Sequence, residues 1–160
     1  DIVSIDLGAK KHGFNGDNAA TFACGDVSEE AKRLMDATRE ALYEGIAAAR
    51  AGNRIGDIGH AVQEYCEARG YGVVRDFVGH GVGTKLHEEP SVPNFGHAGR
   101  GIRLLPGMTL AIEPMINLGT YKVKQLSDGW TVKTADGKLA AHFEHSIAIT
   151  PNGPVILTKV

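Results

Sequence analysis

Two histidines, His80 and His87, lie in a glycine-rich segment that ends in an acidic pair and a proline. Glycines flank His80 on both sides and allow close backbone approach or a positive φ angle, so an ordinary core strand does not explain this segment. An imidazole held in such a segment can bind a metal ion or move a proton. We therefore predict that a ligand or substrate reaches His80.

Four acidic residues lie on predicted strands in otherwise apolar neighbourhoods: Asp6, Asp17, Glu113 and Glu144. A buried carboxylate is costly unless a cation or a metal ion accompanies it. Most lysines and arginines fall on predicted helix surfaces or loops, which makes a metal ion the simpler partner. The sequence therefore favours a metal site.

The mixture of ligand types narrows the choice of metal. Carboxylates together with one or two imidazoles suit divalent manganese, iron, cobalt or zinc. Four acids exceed what a site with one zinc ion normally uses, so two bridged ions are the better prediction. Two such ions, roughly 3.5–4 Å apart, can share a hydroxide and clamp an attacked carbonyl, as in two-metal hydrolases.

Each candidate also has a structural interpretation. A single strand aspartate is more often an edge or turn residue, and a single histidine is more often a hydrogen-bonded structural residue than a ligand. The combination of His80, His87 and the four acids favours the metal site. The other histidines, among them His142, keep the structural interpretation. Trp130, which follows a turn, is predicted to be half-buried, with the wall of a pocket as the alternative.

Two predicted strands near the start of the chain bring two of the acids together. Residues 2–7 and 17–23 have strand character and are joined by a polar, glycine-rich connector over residues 10–16. A hairpin through this connector places Asp6 directly opposite Asp17. Opposed Cβ atoms in an antiparallel pair lie about 5 Å apart, and like charges there are destabilising. This pairing requires a cation between the two strands.

The remaining elements predict an α+β domain. Ser28 is a candidate cap for an amphipathic helix that ends near Gly52, and a second helix is expected from about Gly56 to Arg69. Further strands are predicted over residues 71–78, 109–117, 130–132 and 141–149, with a last short strand after an Asn-Gly turn. No linker or repeat divides the chain, so we expect residues 1–160 to form one catalytic domain.

Composition excludes several classes of function. Lysine and arginine total 17 against 19 acids, for a formal charge of −2, so the sequence has neither the basic patch of a nucleic-acid-binding protein nor a basic run for a membrane surface. No stretch has the apolar length of a transmembrane helix. Cys24 and Cys66 are expected to be buried free thiols, which fits a reducing cytoplasm.

Taken in order, the candidate residues resemble those of the type I methionine aminopeptidases. The resemblance covers nearly the whole chain and rests on Ile-Asp6-Leu, Asn-Gly-Asp17, Gly-His80-Gly-Val-Gly, His87-Glu-Glu-Pro, Ile-Glu113-Pro-Met and Phe-Glu144-His. It implies the pita-bread fold, in which two pseudo-symmetric halves place helices on a curved antiparallel sheet. It also implies removal of the initiator methionine from new polypeptides in the cytoplasm.

The same resemblance implies a ligand set for two divalent ions. By that likeness Asp17 and Glu144 would bridge both ions, Asp6 would bind one of them, and His80 and Glu113 would bind the other. Cobalt, manganese, iron and zinc are the candidate metals.

The resemblance implies further roles around this ligand set. Glu113 would also move a proton towards the leaving amine, and His87 would contact the scissile amide of the substrate. Leu86 and Trp130 would border the methionine pocket. The implied partners are the N-termini of nascent peptides, at the ribosome, with a monomer as the subunit state and with no nucleic-acid or membrane partner.

The chain departs from the type I pattern in two ways. It begins within the strand that carries Asp6, so we expect the first part of the fold, with a further catalytic histidine and much of the methionine pocket, to be missing. The incomplete sheet is then expected to expose an edge and apolar surface. Leu86 stands where many type I members have an aromatic residue.

Two other functions stay open. A proline-directed pita-bread peptidase, either an Xaa-Pro aminopeptidase or a dipeptidase, would share the five ligands, although the segments around His87 and Trp130 favour the methionine enzyme. An inactive pita-bread module that binds a partner is the second alternative. Such a module would be expected to lose ligands, whereas all five are present.

Overall fold

The computed structural model describes residues 1–159, which contain two helices and twelve strands. The helices are α1 (Glu29–Ala48) and α2 (Ile55–Glu67). The strands are β1 (Ile2–Lys11), β2 (Phe14–Ala23), β3 (Gly72–Val73), β4 (Gly79–Gly81), β5 (Glu88–Val92), β6 (Thr109–Ile112), β7 (Met115–Asn117), β8 (Val123–Gln125), β9 (Val132–Thr134), β10 (Ala140–His142), β11 (His145–Thr150) and β12 (Gly153–Ile156). The predicted α+β class is confirmed.

The described strands form two larger sheets and two hairpins, all with antiparallel pairing. One sheet has the order β12-β11-β6-β4-β5, and the other has the order β10-β7-β3. The hairpins are β1–β2 and β8–β9. The chain passes from one larger sheet to the other three times, between β3 and β4, between β6 and β7, and between β10 and β11.

The two helices pack on each other and against the five-stranded sheet. Ser28 caps α1, because its Oγ accepts a hydrogen bond from the N–H of Ala31 at 3.2 Å. Apolar side chains at helical spacing then face the sheet and form a buried core. Its members include Leu42, Ile46, Ile58, Leu110, Ile112, Ile147 and Ile149. Both predicted helices are confirmed, although each ends a few residues earlier than expected.

A second buried cluster lies beside the three-stranded sheet and contains Cys66. Burial raises the pKa of this thiol to about 12, so it stays protonated and unreactive at neutral pH. Cys24 is exposed, which contradicts its predicted burial. The reason is local: β2 ends at Ala23, so Cys24 lies beyond the strand.

The first hairpin differs in register from the prediction. Its strands are longer than expected, and the connector shrinks to His12-Gly13, whose φ angles of 51° and 88° are typical of a tight two-residue hairpin turn. Asp6 is therefore paired with Ala19, and Asp17 is paired with Gly8. The direct opposition of Asp6 and Asp17 was wrong. The two aspartates still share a face, because each lies two positions from the other's partner.

Two strands that the sequence predicts as continuous are interrupted at site residues. Residues 109–117 break at Glu113-Pro114 between β6 and β7, and residues 141–149 break at Phe143-Glu144 between β10 and β11. Both breaks occur where the chain changes sheets, so each carboxylate lies at a crossing point. The strand expected over residues 71–78 is reduced to Gly72–Val73.

No helix within residues 1–159 combines the length and the apolar character that crossing a bilayer requires.

Candidate metal centre

The predicted site residues converge where the chain crosses between the two larger sheets. Asp6 and Asp17 come from the hairpin, His80 comes from β4, and Glu113 and Glu144 occupy the two strand breaks. His87 precedes β5 directly. Three overlapping groups each offer three potential ligand atoms within 4.8 Å of one another: Asp6 with Asp17 and Glu144, His80 with Glu113 and Glu144, and Asp17 with His80 and His87. The structure thus brings together six of the eight predicted residues.

The hydrogen bond made by His80 fixes which ring nitrogen faces the acids. Its Nδ1 lies 2.9 Å from the carbonyl oxygen of Gly81, and because a carbonyl only accepts, Nδ1 carries the proton. In the neutral ring, the lone pair on Nε2 then faces Glu113 Oε1 at 3.4 Å and Asp17 Oδ2 at 3.6 Å. Three lone-pair donors that face one point repel each other unless a cation lies between them.

The carboxylates around Glu144 point to the same need for a cation. Glu144 is 2% exposed, and within residues 1–159 its Oε1 has no hydrogen-bond partner. Burial, together with the negative charges of Glu113, Asp17 and Asp6, raises the pKa of Glu144 to about 9. Burial and the charge of Asp6 also raise the pKa of Asp17. Acids this close cannot all ionise at neutral pH without positive charge.

The donor set fits divalent metal ions. It supplies carboxylate oxygens and imidazole nitrogen, the combination that suits manganese, iron, cobalt and zinc. Histidines that bind metals usually donate the N–H of their other ring nitrogen to a backbone carbonyl or a carboxylate, as His80 does to Gly81. Because Asp17, His80 and Glu144 each belong to two of the groups, the cluster can hold more than one ion.

A pocket of about 490 Å³ opens beside this cluster. Its polar end is formed by Asp6, His80, His87 and Glu113, and the rest of its wall is mainly apolar. The apolar lining residues are Val74, Phe77, Val78, Met115, Val123, Val132, Ala140 and Ala141. A substrate with an apolar side chain can therefore reach the candidate metal ligands.

His142 belongs to this site, although the sequence interpretation treated it as structural. It lines the pocket, and its Nε2 lies 3.6 Å from Glu113 Oε2. The sequence did contain a signal, because His142 lies two residues before Glu144 and alternation along an extended strand places such residues on one face. Thr21 and Ser146 were also missed, because a hydroxyl in a strand gives no distinctive pattern.

Leu86 and Trp130 lie outside the residues that line the pocket. Leu86 is half-buried against Gly8 in the first hairpin. Trp130 is 86% exposed at the β8–β9 turn, so its predicted half-burial was wrong. The Asp128 carboxylate holds this turn by accepting hydrogen bonds from the N–H groups of Trp130 and Thr131, at 3.0 and 2.8 Å. These contacts order the backbone and leave the indole ring in solvent.

Comparison with known proteins gives two strong likenesses. The chain is 58% identical over 160 residues to a methionine aminopeptidase of Clostridium perfringens, a match that covers 100% of this chain and 64% of that protein. The crystal structure of a methionine aminopeptidase from Thermotoga maritima superposes with a TM-score of 0.97 at 51% identity, covering 100% of this chain and 64% of that one. The chain thus spans about 64% of the length of these relatives.

A weaker likeness extends to a prolidase from Pyrococcus furiosus, with a TM-score of 0.78 and 27% identity, covering 100% of this chain and 42% of that one. The structural agreement with the methionine aminopeptidase confirms the predicted pita-bread fold. The model of metallopeptidase family M24 matches residues 1–151. The chain therefore belongs to metallopeptidase family M24.

Proposed function

We propose that this chain forms the catalytic domain of a metal-dependent aminopeptidase that removes the N-terminal methionine from new polypeptides. The observation that carries the proposal is the convergence of Asp6, Asp17, His80, Glu113 and Glu144 beside a mainly apolar pocket. The 58% identity to a methionine aminopeptidase supports this substrate over other amino-terminal residues.

The proposed ligand assignment follows the three groups of side chains. Glu144 is common to the group with Asp6 and Asp17 and to the group with His80 and Glu113, which supports a bridging role. Asp17 is the second proposed bridge, because it also approaches His80. Asp6 would then bind one ion, and His80 and Glu113 would bind the other. The proposed ions are two of cobalt, manganese, iron or zinc.

When bound, two divalent ions would supply Lewis acidity to water and to the carbonyl of the first peptide bond. Glu113 is proposed to carry a proton to the leaving amine, since its carboxylate lies at the polar end of the pocket. His87 is proposed to donate a hydrogen bond to the scissile amide and so to stabilise charge that develops there. The acidic end of the pocket also attracts a free N-terminal amine, which accounts for exopeptidase action.

The apolar wall is proposed to hold the methionine side chain, which is unbranched and adapts to irregular apolar surfaces. Leu86 and Trp130, which do not line this pocket, are proposed to border the substrate beyond it. The proposed partners are the N-termini of nascent peptides at the ribosome, and the proposed setting is a monomeric protein in the cytoplasm.

The proposal is tested by methionine release from a Met-Ala-Ser peptide after chelation, with manganese or cobalt added back. We expect release that depends on the metal and is lost in Glu144→Gln. A matched Ala-Pro peptide separates the methionine activity from a proline-directed peptidase, for which the prolidase likeness is the supporting observation. Folded, metal-loaded protein that releases nothing from either peptide would contradict the proposal and favour a binding module.

A further inference from the structure

Strand β2 docks beside the crossing between β10 and β11 in an unusual way. Residues 17, 19 and 21 face residues 146, 144 and 142, in antiparallel order. At the centre, the N–H of Glu144 donates to the carbonyl of Ala19 at 2.8 Å. On either side of this bond, a side-chain hydroxyl takes the place of the backbone partner.

Ser146 binds both backbone polar groups of Asp17. Its Oγ accepts a hydrogen bond from the Asp17 N–H at 2.8 Å and donates one to the Asp17 carbonyl, also at 2.8 Å. Ser146 is 1% exposed and Asp17 is buried, so water does not compete readily for these bonds. One hydroxyl thus fixes the backbone of a proposed bridging ligand.

Thr21 does the same for His142 at the other end. Its Oγ1 donates to the His142 carbonyl and accepts from the His142 N–H, both at 2.8 Å. Because Thr21 has already used its proton, the Ser4 hydroxyl at 2.8 Å is the donor in their contact. Thr21 is 3% exposed. Ser4 lines the pocket, which links this contact to the site.

The two hydroxyls lie on either side of Glu144 along the crossing segment. When both are ionised and no cation is present, the carboxylates of Asp17 and Glu144 repel one another, and the strands that carry them tend to separate. Removing the Ser146 hydroxyl leaves a buried N–H and C=O without their partner, and removing the Thr21 hydroxyl does the same to a partly buried pair, which favours local separation or water entry. The spacing of the two carboxylates therefore depends on the hydroxyls.

We propose that Thr21 and Ser146 are positioning residues that form a hydroxyl clamp, which holds Asp17 and Glu144 at the spacing needed to bridge two ions. This inference rests on the proposed function of the site. The clamp acts through the backbone of β2 and of residues 142–146, because neither Thr21 nor Ser146 belongs to the groups of potential ligands or lines the pocket. Its effect is preorganisation, because the ligands are already placed before any ion arrives.

The test compares manganese binding by the 160-residue chain and by Ser146→Ala, Thr21→Val and Thr21→Ser. Calorimetry gives the dissociation constant of each ion, and electron paramagnetic resonance reports the magnetic coupling between two bound manganese ions. Thr38→Val is the matched control, because Thr38 is equally buried but its hydroxyl donates to Leu34 within α1, away from the site.

We expect Ser146→Ala and Thr21→Val to weaken binding of at least one ion by about 10- to 100-fold, the range typical of residues behind a metal ligand, and to lose the coupled signal. Thr21→Ser should retain both ions, and Thr38→Val should lower only thermal stability. Ser146→Ala and Thr21→Val variants that bind two coupled ions with unchanged affinity would overturn the clamp, as would a similar loss in Thr38→Val.

Circular dichroism first shows that each variant is folded. If Ser146→Ala unfolds, the comparison of Thr21→Val with Thr21→Ser decides alone. A parent chain that fails to bind two ions would contradict the proposed function itself. Variants that bind two ions as well as the parent does would contradict only the clamp.

Discussion

At the scale of single residues, Glu144 shows most clearly what the site requires. It is almost fully buried, one of its oxygens has no hydrogen-bond partner within residues 1–159, and its nearest charges are other acids. A buried carboxyl group without a partner destabilises the fold unless a positive charge lies beside it. The positive charge that fits the neighbouring imidazole and carboxylates is that of a metal ion.

Glu144 should make the metal-free protein lose stability as the pH rises. Its pKa is about 9 in the folded chain against an ordinary value of 4.5, so between these values the folded state holds more protons than the unfolded state. The free energy of unfolding therefore falls with rising pH in this window, by up to about 1.4 kcal/mol per pH unit. Asp17, whose pKa is also raised, acts in the same direction.

Glu144→Gln removes this contribution. In chelator at pH 8, we expect the variant to have a higher Tm than the parent and a weaker dependence of Tm on pH between 5 and 9. Added manganese should raise the Tm of the parent but not that of the variant. Equal pH dependence of the two proteins in chelator would show that Glu144 is not an uncompensated acid.

His87 is the residue whose proposed role differs from that of its neighbours. It lies beside His80, with ring centroids 4.3 Å apart, and it also belongs to one group of potential ligands. If it acts on the substrate, His87→Ala should lower kcat/KM about 100-fold while leaving metal affinity unchanged. Calorimetry with manganese beside peptide kinetics separates the roles, and a large fall in affinity would make His87 a ligand instead.

At the scale of elements, the site depends on how the hairpin and the two strand breaks are placed. Helix α1, its Ser28 cap and the apolar stripes follow from local sequence, because capping and periodicity act within a few residues. The candidate ligands could be picked out from the sequence because their types and motifs are unusual, and the structure brings them together. What could not be predicted is the contact that assembles them.

Two structural features escaped prediction for physical reasons. The hairpin register depends on a turn at His12-Gly13, which lacks the usual Asn-Gly or Asp-Gly signature. The breaks at Glu113 and Glu144 depend on which sheet each half-strand joins, and an apolar run does not encode that choice. The hydroxyl contacts of Thr21 and Ser146 could not be predicted for the same reason, since a serine or threonine in a strand gives no signal until its partner is known.

The turn itself offers a stability test. Gly13 has a φ of +88° and no atoms within 4 Å of where a Cβ would lie, so Gly13→Ala tests the backbone strain alone. We expect a loss of about 1–2 kcal/mol in the free energy of unfolding. Gly16→Ala is the control in the same hairpin, because its φ is not positive and its nearest neighbour would be 3.9 Å away. Similar urea midpoints for Gly13→Ala and the parent would contradict the turn geometry.

At the scale of the whole molecule, the first hairpin presents an apolar surface to solvent. Val3, Ile5, Leu7 and Phe22 are exposed on the face opposite Asp6, and Phe14 extends the same face near the turn. The expected apolar exposure is therefore confirmed. Contiguous apolar surface of this kind favours association with other protein surfaces.

Charge on this face should reduce self-association of the 160-residue chain without disturbing the metal centre. We expect the double variant Ile5→Lys and Leu7→Lys to lower light scattering at high protein concentration and to keep its affinity for manganese. The matched control is Val155→Lys with Leu157→Lys, which changes two exposed apolar residues elsewhere. Equal scattering by both double variants would mean that the hairpin face has no special role in association.

The most direct test of the metal centre is anomalous X-ray diffraction at the manganese edge, from crystals of this chain grown with manganese. We predict two anomalous peaks. One lies near Asp6 and the other near His80 and Glu113, and Asp17 and Glu144 are close to both. A single peak would contradict the two-ion site. Peaks remote from these residues, or none, would contradict the metal centre as a whole.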